Sequence, residues 1–598
     1  MAHYAGWIGT GEGTTQAQSA LSAMMAYPVT GNIRQGDGFA LVAEGDNVHT
    51  DDDLTLIVPV ARGQNSASLS QYAQAYRQYG VEFVKHLSPP VCLVLIDAAR
   101  RIVVLATDPI GLTHVYYSQT DSGLVFASRA DVVARHPDVG DAISAQTVFD
   151  YVYYHHCPSP NTIYARVKKL DGGQCLVYDQ GRVALDRYWL PRFQEQAVDL
   201  QQAGVELKQG LLDAVKASVL NEDNTGAFLS GGLDSSSVAG TLAAVFPGKA
   251  KTFSMGFPVA GYDEIAFARV AVQQFSTRSH EYYVTPEDTV DAVPMIAAHY
   301  DEPFGNSSAL AAYYCAKLAR ENGIKRLLAG DGGDEIFAGN ERYAKQLLFD
   351  HYTRLPGFVS AALEAGLNSL PSGLANSKLP FKARRYIEQA KAPMPDRLQE
   401  YNFLHRHDPA DIFEDGFLRQ IDIDQPLQLL RETYHRPDHA STLNRMLYMD
   451  WKTTLHDNDL VKVNRMCELA GVEVCYPLLD QAIVELSCRI PSADKLKGQR
   501  LRWFYKQAMS GFLPDAIINK SKHGFGLPFG IWLKDHQPLK SLAYDAIHDL
   551  KKRGYFKPAF LDHAIAMHQS IHAAYYGELI WVLMMLELWF AGRNNGSR

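Results

Sequence analysis

The chain has 598 residues, a formal net charge of −9, and 47% hydrophobic against 21% charged residues. That length carries roughly two to four domains with ample core, and the composition is that of an ordinary globular protein. The acidic balance leaves no overall electrostatic footprint for nucleic acid, so no nucleic-acid partner is expected.

Seven cysteines, in no Cys-x-x-Cys pair, argue for a reducing compartment and against a cysteine zinc framework. The start, Met1-Ala2-His3-Tyr4-Ala5-Gly6, lacks a charged segment followed by an apolar one. The longest apolar run, Leu579 to Leu586, is too short to cross a bilayer. A cytoplasmic enzyme with no membrane span is expected.

In chain order, the first third is β-rich. Val91 to Ile96 and Ile102 to Ala106 are apolar strands joined by a polar turn. Val115 to Tyr117 and Leu124 to Ala127 form a hairpin around Asp121-Ser122-Gly123, and Cys175 to Tyr178 and Tyr188-Trp189 are further strands. His155-His156-Cys157 lacks helical metal-ligand spacing and precedes Pro158, so it is expected to be a loop. The polar, Gln-rich stretch Arg192 to Gly204 is a linker. It separates two expected domains, residues 1–195 and 205–598.

Beyond it the pattern changes. A helix from Val205 to Leu220 leads into strand Ala227 to Leu229, a Ser/Gly loop, and a helix from Ser237 to Phe246. Lys251 to Phe257 and Arg326 to Ala329 are the next strands. Strands alternating with helices predict a parallel doubly wound sheet with ligands at the strands' carboxyl ends. Residues 340–490 are predicted to be mostly helical and irregular. The stripe Trp581, Leu583, Leu586, Leu588 and Trp589 marks a packing helix.

The loop Ser230-Gly231-Gly232-Leu233-Asp234-Ser235-Ser236 carries most of the chemical information. A strand turning through glycines into a helix N-terminus aims backbone N–H groups and the helix dipole at an anion. Glycines let the backbone approach a phosphate, and serines add donors. Asp234 would repel phosphate unless a divalent cation lay between them, so it reads as a magnesium ligand. The Walker pattern is absent. A second loop, Gly330-Asp331-Gly332-Gly333-Asp334-Glu335, again places glycines and carboxylates at a strand end, and the two loops together suit magnesium against a triphosphate.

These loops occur in order with Thr252 to Phe257, Tyr262-Asp263-Glu264, Asp301-Glu302-Pro303-Phe304, Val461 to Met466, Glu473 to Asp480 and Lys520 to Phe525. In this the chain resembles the asparagine synthetase superfamily from about residue 80 onward. The resemblance implies an N-terminal Ntn-hydrolase-like β-rich sandwich and an α/β ATP-pyrophosphatase domain with helical additions. It also implies binding of ATP and Mg2+, adenylation of a carboxylate, and displacement of AMP by an amine. Asp234 and Asp334 match the metal ligands, and Leu229, Met255 and Gly330 match positions lining the adenine pocket. Lys462 and Arg465 belong to a motif facing the site. Lys522 matches a lysine that stabilises phosphate and the tetrahedral oxyanion. Asp331 either acts as a base or orders its loop. Asp457 is either its acidic partner, as in the cyclising relatives, or a helix-terminal carboxylate.

The chain also departs from the family. The glutaminase nucleophile of these synthetases is a cysteine directly after Met1, and this chain has Ala2 there, with no cysteine before Cys92. The glutamine-holding stretches are missing as well. The first domain is therefore expected to be catalytically silent, with no glutaminyl thioester, and the amine to come from the substrate. Two branches resemble this: the β-lactam synthetases, which replace the acidic residue at Asp331 by tyrosine, and the lasso-peptide cyclases. Retention of Asp331 and the large helical region favour the second, with a precursor peptide as substrate and a leader peptidase or leader-binding protein as partner. The alternatives are a small-molecule amide ligase, either asparagine-synthetase-like or β-lactam-type, and an inactive nucleotide-binding scaffold. Intact Asp234, Asp334 and Lys522 argue against the scaffold. A tRNA-modifying enzyme with the same ATP loop fits neither the acidic balance nor the C-terminal motifs.

Overall fold

The structure is a computed structural model. It describes residues 3–9, 21–24, 32–36, 38–43, 48–51, 54–58, 66–87, 92–353, 355–369, 378–521, 526–570 and 573–595.

Two antiparallel six-stranded sheets build the first part of the chain among the described residues. Their inner faces meet in one apolar layer that includes Ile8, Val94, Val103, Phe126 and Leu176. Period-two alternation decides which side chain goes where. On strand Gly123–Ala127, Leu124 and Phe126 enter this layer, while Val125 and Ala127 face the core shared with the second part of the chain. Helix Ser66–Tyr79 covers the outer face of the other sheet through Leu69, Tyr72, Ala73 and Tyr76. The expected hairpin is formed by Tyr116–Thr120 and Gly123–Ala127. The expected strand at Tyr188-Trp189 instead ends at Arg187.

The linker is tied down. Gln194 N–H donates to Cys488 O at 2.9 Å, and Glu195 accepts from Ser492 N and Asn444 Nδ2 at 3.0 and 2.7 Å. The following helix begins at Leu200 rather than Val205, because the Asp199 carboxylate caps it by accepting from Gln201 and Gln202 N–H.

The second part carries a five-stranded parallel sheet. Its order is Arg278–Tyr283, Lys251–Gly256, Thr225–Phe228, Arg326–Leu328, Glu473–Cys475. The outer two strands were not expected. Arg-Ser-His-Glu-Tyr-Tyr lies at an edge with every side chain at least partly exposed, so it lacks the apolar run of a buried parallel strand. Glu473–Cys475 is three residues long and follows the helix Leu460–Ala470. The region after Asn340 is otherwise helical as expected, with one π-helical stretch at Trp451–Asp459. Helix Ala573–Asn595 buries Trp581 and Trp589 as a packing helix. No described helix is long and apolar enough to cross a membrane.

Buried charges lock the two parts together. Buried Arg465 pairs with buried Asp301 at 2.9 Å and with half-buried Glu468 at 3.0 Å, and the other Asp301 oxygen accepts from Ala130 N at 2.9 Å. Asn464 Nδ2 donates to Leu112 O at 2.8 Å. Removing one partner of a buried pair strands the others without water. Arg465→Met is therefore expected to destabilise the chain by about 3–5 kcal/mol. Urea denaturation followed by tryptophan fluorescence measures this, and an unchanged midpoint would show that the seam does not depend on this pair.

Candidate functional site

Strand Thr225–Phe228 lies between Lys251–Gly256 and Arg326–Leu328, so the loops leaving it and Arg326–Leu328 emerge side by side at the carboxyl edge of the sheet. Leu229 N–H still donates to Phe253 O at 2.9 Å, and Ser254 Oγ donates to Leu229 O at 2.7 Å. The chain then turns at Gly231, whose φ of +71° suits glycine and whose missing Cβ leaves room for the Ala268 backbone. A Cβ on Gly330 would come within 2.6 Å of Ser235 N, so the two loops touch through backbone. One on Gly333 would collide with the Asp234 carboxylate.

Helix Leu233–Val245 starts inside the loop, four residues before the expected start, because Gly232 already has the extended conformation of a cap. No side chain caps this end, so its first N–H groups are left for a ligand. Ser230 Oγ and Ser235 Oγ are 3.0 Å apart.

These loops border a cavity of about 490 Å3. Its lining combines apolar Phe228, Leu229, Phe253, Met255 and Cys315 with the loop residues Ser230, Gly232, Asp234, Ser235 and Asp334, and with Asp331, Asp459 and Lys462. Of the expected site residues, Leu229, Ser230, Gly232, Leu233, Asp234, Ser235, Met255, Gly330, Asp331 and Asp334 all line it. Gly231 and Ser236 do not: the first makes the turn, and the second is fully buried on the helix behind the loop. Lys522 lies outside the described residues, although Lys520 and Ser521 line the cavity.

Asp457 is also absent from the lining. It points instead to the seam with the first part of the chain, where its carboxylate accepts from Ser159 N at 2.7 Å and Ser159 Oγ at 2.6 Å. The π-helical stretch sets this phase. Asp457 faces the seam, while Asp459, two residues later, faces the cavity and accepts from Lys462 Nζ at 2.7 Å. Arg465 is likewise in the seam rather than the cavity.

Sequence reasoning missed Arg502. Its Nη1 donates to Asp234 Oδ2 at 3.0 Å and to Asp334 Oδ1 at 2.9 Å, so one guanidinium bridges the two carboxylates expected to bind metal. It precedes helix Trp503–Met509 with φ of +54°. The only available signal was electrostatic: two facing carboxylates require a cation, and no motif names which one.

Burial pushes the Asp331 carboxyl up to about 6, with the Lys462 ammonium opposing and the Asp459 charge reinforcing the shift. Burial works against the Lys462 ammonium, but Asp459 and Asp331 hold its pKa above the ordinary lysine value. A carboxylate whose proton affinity nears neutrality, beside a fixed ammonium, can take a proton from an incoming nucleophile.

Comparisons with known proteins agree with this geometry. The asparagine synthase family model matches residues 206–591, and the glutamine amidotransferase domain model matches residues 70–189. Asparagine synthetase [glutamine-hydrolyzing] 1 of Bacillus subtilis is 24% identical over 556 residues, covering 92% of this chain and 82% of the relative. Amidase chyE of Penicillium rubens is 23% identical over 510 residues, covering 76% and 72%. Among solved structures, the allosteric regulatory enzyme of purine biosynthesis overlaps 55% of this chain and 80% of its own at 9% identity, with a TM-score of 0.22, too low to inform the fold.

Because Arg502 occupies the space between the carboxylates, it competes with a divalent ion. Arg502→Met is expected to bind free Mn2+ at least about tenfold more tightly without nucleotide, the ratio given by about 1.4 kcal/mol. The Mn2+ EPR signal reads this directly, and equal affinity would show that the guanidinium does not hold the site.

Proposed function

Because the chain belongs to the asparagine synthase family, whose members are ATP-dependent, AMP-forming carbon–nitrogen ligases, we propose that it is a lasso-peptide macrolactam synthetase. It activates an Asp or Glu side chain of a precursor peptide and closes an isopeptide bond with the peptide's own N-terminal amine.

The observation that carries the reading is the state of the cysteines. Six of the seven are buried, and Cys475 is half-buried. Burial pushes the Cys92 thiol up to about 12, and it raises Cys157, Cys175, Cys315, Cys467 and Cys488 as well. A glutaminase needs an accessible thiolate, and none of these six supplies one. On this reading the amine comes from the substrate rather than from glutamine, and Asp331 accepts its proton.

The fit to ATP and magnesium rests on the donor set. Asp234 and Asp334 already share one positive charge, and the uncapped helix N-terminus beside them suits a pyrophosphate. Magnesium, when bound, neutralises charge that builds on the leaving pyrophosphate. The apolar lining with Leu229 and Met255 takes the adenine. Ser230 and Ser235 and the N–H groups of the first helical turn hold the phosphates in line with the carboxylate. Asp331 accepts the amine proton while Lys462 keeps the acidic pair from repelling the substrate. Lys522 is proposed to stabilise the oxyanion. Asp457 contributes by positioning the seam.

Two outcomes test this. Pyrophosphate release is expected to require the leader-free precursor peptide and to fall at least about a hundredfold in Asp234→Ala, the loss typical of a transition-state charge contact. Release with aspartate plus ammonium, and none with peptide, would replace the peptide reading by the small-molecule one. The base role predicts that kcat/KM is full above pH 6 and declines below it, as Asp331 gains its proton. Asp331→Asn is expected to remove that acidic limb, and an unaltered limb would assign it elsewhere.

A further inference from the structure

The seam between the two parts of the chain holds a second polar cluster, separate from the nucleotide cavity. His114 comes from the segment after strand Ile102–Ala106, and His456 and Asp457 from the π-helical stretch. His114 Nε2 is 3.6 Å and His456 Nε2 is 3.8 Å from Asp457 Oδ1. The three donor atoms lie within 4.8 Å of one another. Side-chain exposure is 6%, 0% and 4% for His114, His456 and Asp457.

Neither Nε2 has a hydrogen-bond partner. A buried polar atom left in that state is costly, and two of them beside one carboxylate call for a partner. The tautomer of His456 is fixed by its other nitrogen. Nδ1 lies 2.8 Å from Gly111 O, and a carbonyl only accepts, so Nδ1 carries the proton and the Nε2 lone pair is free. This is how metal-binding histidines are oriented. Asp457 Oδ2 accepts from Ser159 N, and Ser159 Oγ donates to Oδ1, which keeps a lone pair for an ion.

We propose that His114 Nε2, His456 Nε2 and Asp457 Oδ1 bind one divalent transition-metal ion of the zinc class, which staples the first part of the chain to the second. Two imidazoles and one carboxylate favour such an ion over magnesium or calcium. Zinc bonds of about 2.0–2.1 Å put tetrahedral ligands about 3.3 Å apart, a few tenths of an ångström less than the two histidine–aspartate separations. The two imidazoles are stacked, with centroids 4.1 Å and planes 17° apart. The ion must lie near both ring planes, so one ring turns on loading. His456 is pinned by Gly111, so His114 is the ring that turns. Lys169 shares the same Asp457 oxygen at 3.7 Å but has a nearer partner in Cys157 O at 2.6 Å, and another in Glu302 at 3.3 Å. The ion displaces only its weakest contact. The fourth position goes to water.

The test uses the full chain with any affinity tag removed. Inductively coupled plasma mass spectrometry is expected to find one zinc per chain after gel filtration. Co2+ added to chelator-stripped protein is expected to give tetrahedral d–d bands saturating at one equivalent. His114→Ala/His456→Ala is expected to abolish both signals, while Asp234→Ala, altered in the nucleotide cavity, keeps them. Because the double variant removes buried side chains, zinc-edge X-ray absorption of the wild-type protein provides a variant-free readout, with imidazole scattering expected from two rings. No metal above buffer and no cobalt bands at equimolar Co2+ would overturn the proposal and leave water as the partner of these nitrogens. So would equal signals in wild type and the double variant.

Discussion

Two carboxylates at neighbouring strand ends cannot face each other in a half-buried cleft without a cation between them. Here Asp234 and Asp334 share the Arg502 guanidinium, and much of the second domain serves that arrangement. The parallel register of Thr225–Phe228 with Arg326–Leu328 puts both loops at one edge. Gly330 and Gly333 let the loops close on each other, and Gly231 turns the chain so that Asp234 falls in the first turn of a helix. The positive helix end and the guanidinium act in the same direction, towards a highly charged anion. If Asp234 and Asp334 hold a divalent ion as proposed, they must first leave Arg502.

The seam is the second constraint. Arg465 and Glu468, on the helix that follows the π-helical stretch, form a largely buried charge cluster with Asp301. That stretch rotates Asp457 and His456 towards the first domain and Asp459 and Lys462 towards the cavity. One segment thus joins domain docking to the cavity. A first domain without a poised thiolate still has a structural task, because its segments around Leu112 and Ala130 satisfy buried groups of the second.

Much of this was legible in the residues. The loop Ser230 to Ser236 and its partner Gly330 to Glu335 are dense in glycine, serine and aspartate, types whose backbone and charge demands leave few alternatives, and ten of the expected residues line one cavity. The strand Arg278–Tyr283 was hidden because an exposed edge needs no apolar pattern. Asp457 and Asp459 were inseparable in sequence, since an α-helical phase and a π-helical phase assign opposite faces to neighbouring carboxylates. Arg502 was invisible for another reason: its role comes from a contact across 268 residues with Asp234, and local patterns carry no trace of it.

On the proposed reading this cleft activates a carboxylate at the α-phosphorus rather than the γ-phosphorus of ATP. Single turnover with a precursor peptide whose acceptor side chain carries 18O decides it. The account predicts that one labelled oxygen appears in the phosphate of AMP, with unlabelled pyrophosphate. Label in inorganic phosphate, with ADP as the nucleotide product, would contradict it.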